Sequence, residues 1–100
     1  MHPAKVIREN VIKLTDLPNI GKTVAADLKS IGITEPSQLK GQDPYDLYVR
    51  FCEAFGEKQD PCMLDVLMSI TDFMDGGDAR VWWDYTAERK RRYGSGKIGN

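Results

Sequence analysis

Few residues in this chain combine a type and a spacing that could do chemistry. Cys52 and Cys62, with nine residues between them, lack the further ligands of a zinc pattern, because the single histidine is His2 at the chain start. A structural zinc site needs about four ligands. Both cysteines stand among apolar neighbours, in "RFCEAF" and "DPCMLDVL", and are expected to be reduced, buried small hydrophobes. General acid–base catalysis needs paired groups with tuned pKa values in a cleft. Asp43 and Asp60 already serve as helix caps, and Asp75 and Asp78 flank the glycine turn "GGD". No phosphate-loop, zinc or nucleophile-elbow pattern is present, so the sequence points away from an enzyme and implies no cofactor.

The stretch "LPNIGKTVAADL", Leu17 to Leu28, carries a different chemistry. It combines a proline-bent turn, a glycine and the start of an amphipathic helix. The first N–H groups of a helix lack intrahelical partners, and the helix dipole favours an anion there. Gly21 removes the side chain where a phosphate oxygen would come closest. Lys22 adds a charge and Thr23 a hydroxyl. Contacts of this kind position a nucleic-acid backbone without reading its bases.

The elements that must position this turn read almost wholly as helix. Val6, Ile7, Val11 and Leu14 predict a first helix over about residues 4–14. Pro18 breaks the pattern. Gly21 opens a second helix with Val24, Ala25 and Leu28 on one face. Gly32 ends it in a left-handed cap, with Ile33 folding back on Leu28. Thr34 caps a short turn anchored by Leu39. "DPYD" and "DPCM" each place an Asp N-cap before a Pro at the first helical position. The stripe Leu47, Tyr48, Phe51, Cys52 and Phe55 follows the first. Met63, Val66, Leu67, Ile70, Phe73 and Met74 follow the second and predict a helix across the core, with Asp65, Ser69 and Asp72 on a solvated face. Thr86 caps a last helix through Arg92. Among Trp82, Trp83 and Tyr85, at least one tryptophan is expected to seal the core, although exposed aromatics beside a basic run could stack bases.

Composition bounds the whole. One hundred residues, 41% hydrophobic and 29% charged, suit one ordinary globular domain. The expected fold is all-α, a compact bundle of about five helices over residues 1–93 with a flexible tail at 94–100. No apolar run reaches membrane-spanning length and no signal-peptide core is visible, so a cytoplasmic location is expected. The net charge of −1 hides an asymmetry: residues 1–87 carry nine basic and fourteen acidic residues, whereas residues 88–100 carry five basic and one acidic. Arg89, Lys90, Arg91 and Arg92 could therefore add weak electrostatic contact to nucleic acid.

"LPNIGKTVAADLKSIGI" resembles a helix-hairpin-helix element, and the chain from Leu14 to Tyr93 is similar to a small bacterial family of that class described as pathogenicity-locus or mitomycin-resistance-related proteins. "LKGQDPYDLY", "QDPCMLDVL" and the "WW" pair carry that resemblance. A more distant likeness is to the C-terminal domain of TfoX competence regulators, through "LPNIG". The resemblance implies a SAM-like helix-hairpin-helix core whose amides at Gly21, Lys22, Thr23 and Val24 bind phosphate oxygens, with Lys29 nearby. It also implies a monovalent cation on the backbone carbonyls of Thr15, Leu17 and Ile20. Leu17, Ile20, Ala25 and Leu28 match positions that pack the hairpin's helices. Asn19 replaces the usual first glycine; it tolerates a left-handed backbone, and its side chain would either crowd a phosphate or donate to it. No second hairpin is evident.

Two functions compete on this basis. One is a sequence-independent module that binds the DNA backbone. The other is a protein-interaction or scaffold domain that reuses the fold, favoured by the acidic body. Exposed amides at residues 21–24, with Lys22 and Lys29 on one side, would suit DNA. A groove rimmed by Trp82 or Trp83 would suit a protein or peptide ligand.

Overall fold

The longest apolar stripe in the chain becomes the central helix. In a computed structural model describing residues 1–94, four α-helices form: α1 (Lys22–Ser30), α2 (Pro44–Phe55), α3 (Pro61–Met74) and α4 (Thr86–Tyr93). Single 3-10 turns at Pro36–Leu39 and Trp82–Tyr85 connect them, and no strand forms among the described residues. The fold is the expected compact all-α bundle. Of the tail expected at 94–100, all but Gly94 lies outside the described residues.

Helix α3 packs against α2, α4 and both connecting turns. Its Leu64, Leu67, Met68, Ile70 and Phe73 are buried with Leu47, Tyr48 and Phe51 of α2, Leu17 and Ile20 of the turn before α1, and Leu28 of α1. Both Asp-Pro helix starts form as expected. Asp43 accepts from the Tyr45 amide at 2.9 Å, and Asp60 from the Cys62 amide at 2.8 Å. The amide of Cys62 holds the Asp60 carboxyl below the usual carboxylate range. Gly32, at φ 91°, ends α1, and the Ile33 amide returns to the Leu28 carbonyl at 2.9 Å.

The expected first helix does not form. Residues 3–16 make three separate 3-10 turns, Pro3–Lys5, Arg8–Asn10 and Leu14–Asp16, with Val6 and Val11 extended between them. Val6, Ile7, Val11 and Ile12 are β-branched and disfavour helix, and Ile7 and Ile12 are exposed. Tertiary bonds hold the segment instead. The Arg8 guanidinium donates to the carbonyls of Phe73 and Gly77 and lies 4.0 Å above the Phe73 ring. Asp16 accepts from the amides of Ile12 and Lys13.

The polar face of α3 also differs from expectation. Asp65 and Ser69 have no exposed surface; Asp72 is exposed but accepts from the Tyr85 hydroxyl at 2.7 Å. Arg89 Nε donates to Asp65 Oδ1 at 2.5 Å, and Thr86 Oγ1 donates to Asp65 Oδ2 at 2.6 Å. Thr86 is therefore the first residue of α4 rather than its cap, and its hydroxyl faces inward. The turn at Thr34 is likewise closed by another side chain, since Gln38 Oε1 accepts from the amides of Thr34 and Glu35. Cys52 is half-buried and Cys62 exposed, so only the first approaches the buried role expected of both.

A buried ion pair broken from one side leaves an uncompensated charge. Asp65→Ala should cost about 3–5 kcal/mol in urea denaturation. The double replacement Asp65→Leu with Arg89→Met, which removes both charges, should cost far less.

Candidate nucleic-acid interface

The turn before α1 is held from beneath. Leu17, Pro18 and Ile20 are buried, as are Ala25 and Leu28 on the inner face of α1. Asn19 has φ 68°, the left-handed conformation expected of it. Its side chain neither crowds the phosphate position nor donates toward it. Asn19 Nδ2 points inward, donating to Ser69 Oγ at 2.9 Å and to the Arg80 carbonyl at 2.8 Å. Asn19 thus leaves the set of residues facing a ligand and becomes a tie between the hairpin, α3 and the segment leading to the tryptophans.

The helix start itself is open. Gly21 is exposed and is the N-cap of α1; a Cβ added there would meet nothing within 4 Å. The first helical bond runs from the Ala25 amide to the Gly21 carbonyl at 3.0 Å. The amides of Lys22, Thr23 and Val24 precede it and have no intrahelical acceptor. Lys22 and Thr23 are exposed and Val24 is half-buried. Lys29 is exposed too and follows Lys22 by seven residues, about two turns, so both lysines project from one face.

The three carbonyls expected to hold a monovalent cation do converge on a positive charge. It is the α-ammonium of Met1, which donates to Thr15 O at 3.2 Å, Leu17 O at 2.9 Å and Ile20 O at 2.6 Å. The same carbonyls are therefore not open to a metal ion in this structure. Among the described residues no group of three or more His, Cys, Asp or Glu side chains could hold one.

The basic C-terminal segment contributes less than its composition implied. Arg89 is only 6% exposed and is spent on Asp65, so it is withdrawn from the interface. Lys90, Arg91 and Arg92 are exposed, with Arg91 and Arg92 both near Glu88 at 3.4 and 3.5 Å. Helix α4 packs chiefly on α3 and the Trp82–Tyr85 turn, whereas α1 packs on the Leu14–Asp16 turn. The basic segment and the turn before α1 are thus carried on different elements.

Two concavities stand out, of which the tryptophan-rimmed groove has a counterpart in the sequence reading and the cavity beside α4 has none. A cavity of about 620 Å³ beside α4 is lined by Asp43, Asp72, Asp75 and Glu88 with Arg80 and Arg92, which makes it hostile to phosphate. A smaller groove of about 310 Å³ joins Asn19, Ile20 and Gly21 to Val81, Trp82 and Trp83. Trp83 is 59% exposed and Trp82 half-buried; Tyr85, at 3%, is the aromatic that seals the core in their place.

The profile of the Cdd1 pathogenicity locus family matches residues 7–91. The chain belongs to the pathogenicity locus family. It is 53% identical over 78 residues to a mitomycin resistance protein, McrB, of Streptomyces lavendulae, covering 78% of this chain and 74% of that one. No solved structure matches. The pathogenicity locus match begins before the turn at Leu17–Gly21 and ends within α4, so Asn19, Asp65 and Arg89 all lie inside the matched span.

Asn19 should be sensitive to substitution for two separable reasons. Asn19→Gly keeps the backbone conformation and loses the two side-chain bonds, for about 1–2 kcal/mol in urea denaturation. Asn19→Val adds the cost of a β-branched residue at positive φ, about 1–2 kcal/mol more.

Proposed function

We propose that this protein is a sequence-independent nucleic-acid-binding module, with the start of α1 as its phosphate contact. The observation that carries the proposal is the open helix N-terminus: amides of Lys22, Thr23 and Val24 free of helical partners, behind an exposed glycine, with Lys22 and Lys29 on one face. An anion at such a site gains from the amides and from the helix dipole. DNA is the polyanion proposed, and no base is read by the hairpin itself. The resemblance to helix-hairpin-helix elements supports the same reading. In this proposal the protein is a binding module and not an enzyme, and it works in the cytoplasm. Among the described residues, no helix is long and apolar enough to cross a membrane.

A protein-interaction domain is the second reading. It draws on the acidic cavity beside α4 and on the tryptophan-rimmed groove, the feature expected of peptide docking. The mitomycin resistance named for the Streptomyces relative is compatible with either and selects neither.

Salt dependence separates the contacts. Each phosphate neutralised contributes about −0.9 to the slope of log K against log salt on duplex DNA. Lys22 and Lys29 alone should give about −2, and engagement of Lys90, Arg91 and Arg92 as well about −4 to −5. Fluorescence anisotropy on a labelled duplex should give the shallower slope. Gly21→Glu places a carboxylate in open space at the helix start and should weaken binding at least about tenfold at low salt without unfolding the chain. A chain ending at Ala87 is no control, because it loses Arg89. Lys90, Arg91 and Arg92 changed together to Gln are the better test of α4. Binding lost only in that triple variant would move the interface to α4, and no binding at low salt would leave the protein-interaction reading.

A further inference from the structure

We propose that the groove between the hairpin and the Trp82–Tyr85 turn holds an unpaired nucleic-acid base, stacked on Trp83, while the adjoining phosphate sits at the start of α1. The proposal rests on the backbone-binding reading above and adds a preference to it: single strands, or unpaired positions, over intact duplex.

The groove's walls argue for this ligand. Trp82 and Trp83 meet edge to face, ring centroids 5.4 Å apart at 85°. That contact supports the Trp83 ring from its neighbour and leaves 59% of the residue in solvent. A tryptophan this exposed does nothing for the core, whose aromatic seal is Tyr85. Base–aromatic stacking is sequence-tolerant, because every base has a π-face.

Charge decides between a base and a peptide anchor. The body of the chain is acidic, and the larger cavity is lined by four carboxylates. No carboxylate lines this groove. It is lined instead by apolar and neutral side chains, with His2 and Met1, whose α-ammonium is held by backbone carbonyls, and it runs to Gly21, where the unpartnered amides of α1 begin. A flat π-system joined to an anion matches both ends, and a nucleotide is that combination. At about 310 Å³ the groove suits one base with part of its sugar and not a stacked pair. A duplex keeps its bases in the stack, so the base must come from a single strand, a nick or a loop.

The two ends are also held in register. Asn19 bonds the Arg80 carbonyl, two residues before Trp82, so the hairpin turn and the tryptophan segment share one rigid joint. The spacing from aromatic wall to helix start is thereby fixed in the free protein, and a preorganised site loses less on binding.

Intrinsic fluorescence isolates this groove, because the chain's two tryptophans are both in it. Three probes of equal length are compared at low salt: oligothymidylate, the same strand with abasic sites, and a duplex. The abasic strand keeps the phosphates and lacks the bases. Oligothymidylate should bind about tenfold more tightly than the abasic strand, and it should quench the tryptophan emission. Trp83→Ala, at an exposed position, should fold normally and abolish that difference while leaving the abasic and duplex affinities unchanged. Gly21→Glu should weaken all three. Equal affinity for oligothymidylate and the abasic strand, without quenching, would overturn the base site while leaving the backbone contact standing. Failure of every strand to bind at low salt would overturn both the base site and the backbone contact.

Discussion

A carboxylate with no solvent exposure lies in the middle of the central helix, and much of the structure is arranged to make it tolerable. Asp65 would be costly to bury alone. Arg89 answers one of its oxygens and Thr86 the other, at 2.5 and 2.6 Å. Both partners come from α4, so satisfying one charge fixes the position of the last helix. It also draws the Trp82–Tyr85 turn against α3, where the Tyr85 hydroxyl meets Asp72. A hydrophobic pair of similar volume could hold the same helices together at no greater cost. What the ion pair adds is an orientation: α4 can satisfy Asp65 only with Arg89 turned inward. The price is one basic residue removed from the surface.

The turn before α1 hangs on the same helix one turn further along. Ser69 is four residues after Asp65, and its hydroxyl oxygen accepts from Asn19 Nδ2 at 2.9 Å. Asn19 in turn bonds the chain just before the tryptophans. Helix α3 therefore supports the turn before α1 and the aromatic segment together. What remains outside is small and chemically distinct: free amides, two lysines on one face, and an aromatic groove without a carboxylate, on a body that is otherwise acidic. In the proposed reading, a phosphate is repelled by the four carboxylates of the cavity beside α4 and attracted to the start of α1.

Local chemistry was legible in the sequence, and long-range chemistry was not. The Asp-Pro starts of α2 and α3, the left-handed Gly32 and the anchoring Leu39 follow from neighbours a few residues away, and each is found as read. Asn19 takes the left-handed conformation its residue type tolerates, but its side-chain partners are fifty and sixty-one residues distant. Asp65 looked like a solvated position because nothing nearby in sequence is positive; its partner lies twenty-four residues on. One cue was available. Asp65 and Ser69 stand four apart in the run "MLDVLMSI", too apolar on both sides to offer a broad solvated face. The first segment failed for the opposite reason. Its apolar spacing imitates a helix, while four β-branched residues and the Arg8 bonds to Phe73 and Gly77 hold it in short turns.

The central claim is that nucleic acid is gripped at the start of α1. Backbone amide chemical shifts, followed by nuclear magnetic resonance during titration with a short oligonucleotide, test it most directly. The account requires the largest changes at the amides of Lys22, Thr23 and Val24, with the indole signals of Trp82 and Trp83 moving alongside. Changes confined to Lys90, Arg91 and Arg92, with the α1 amides undisturbed, would contradict it.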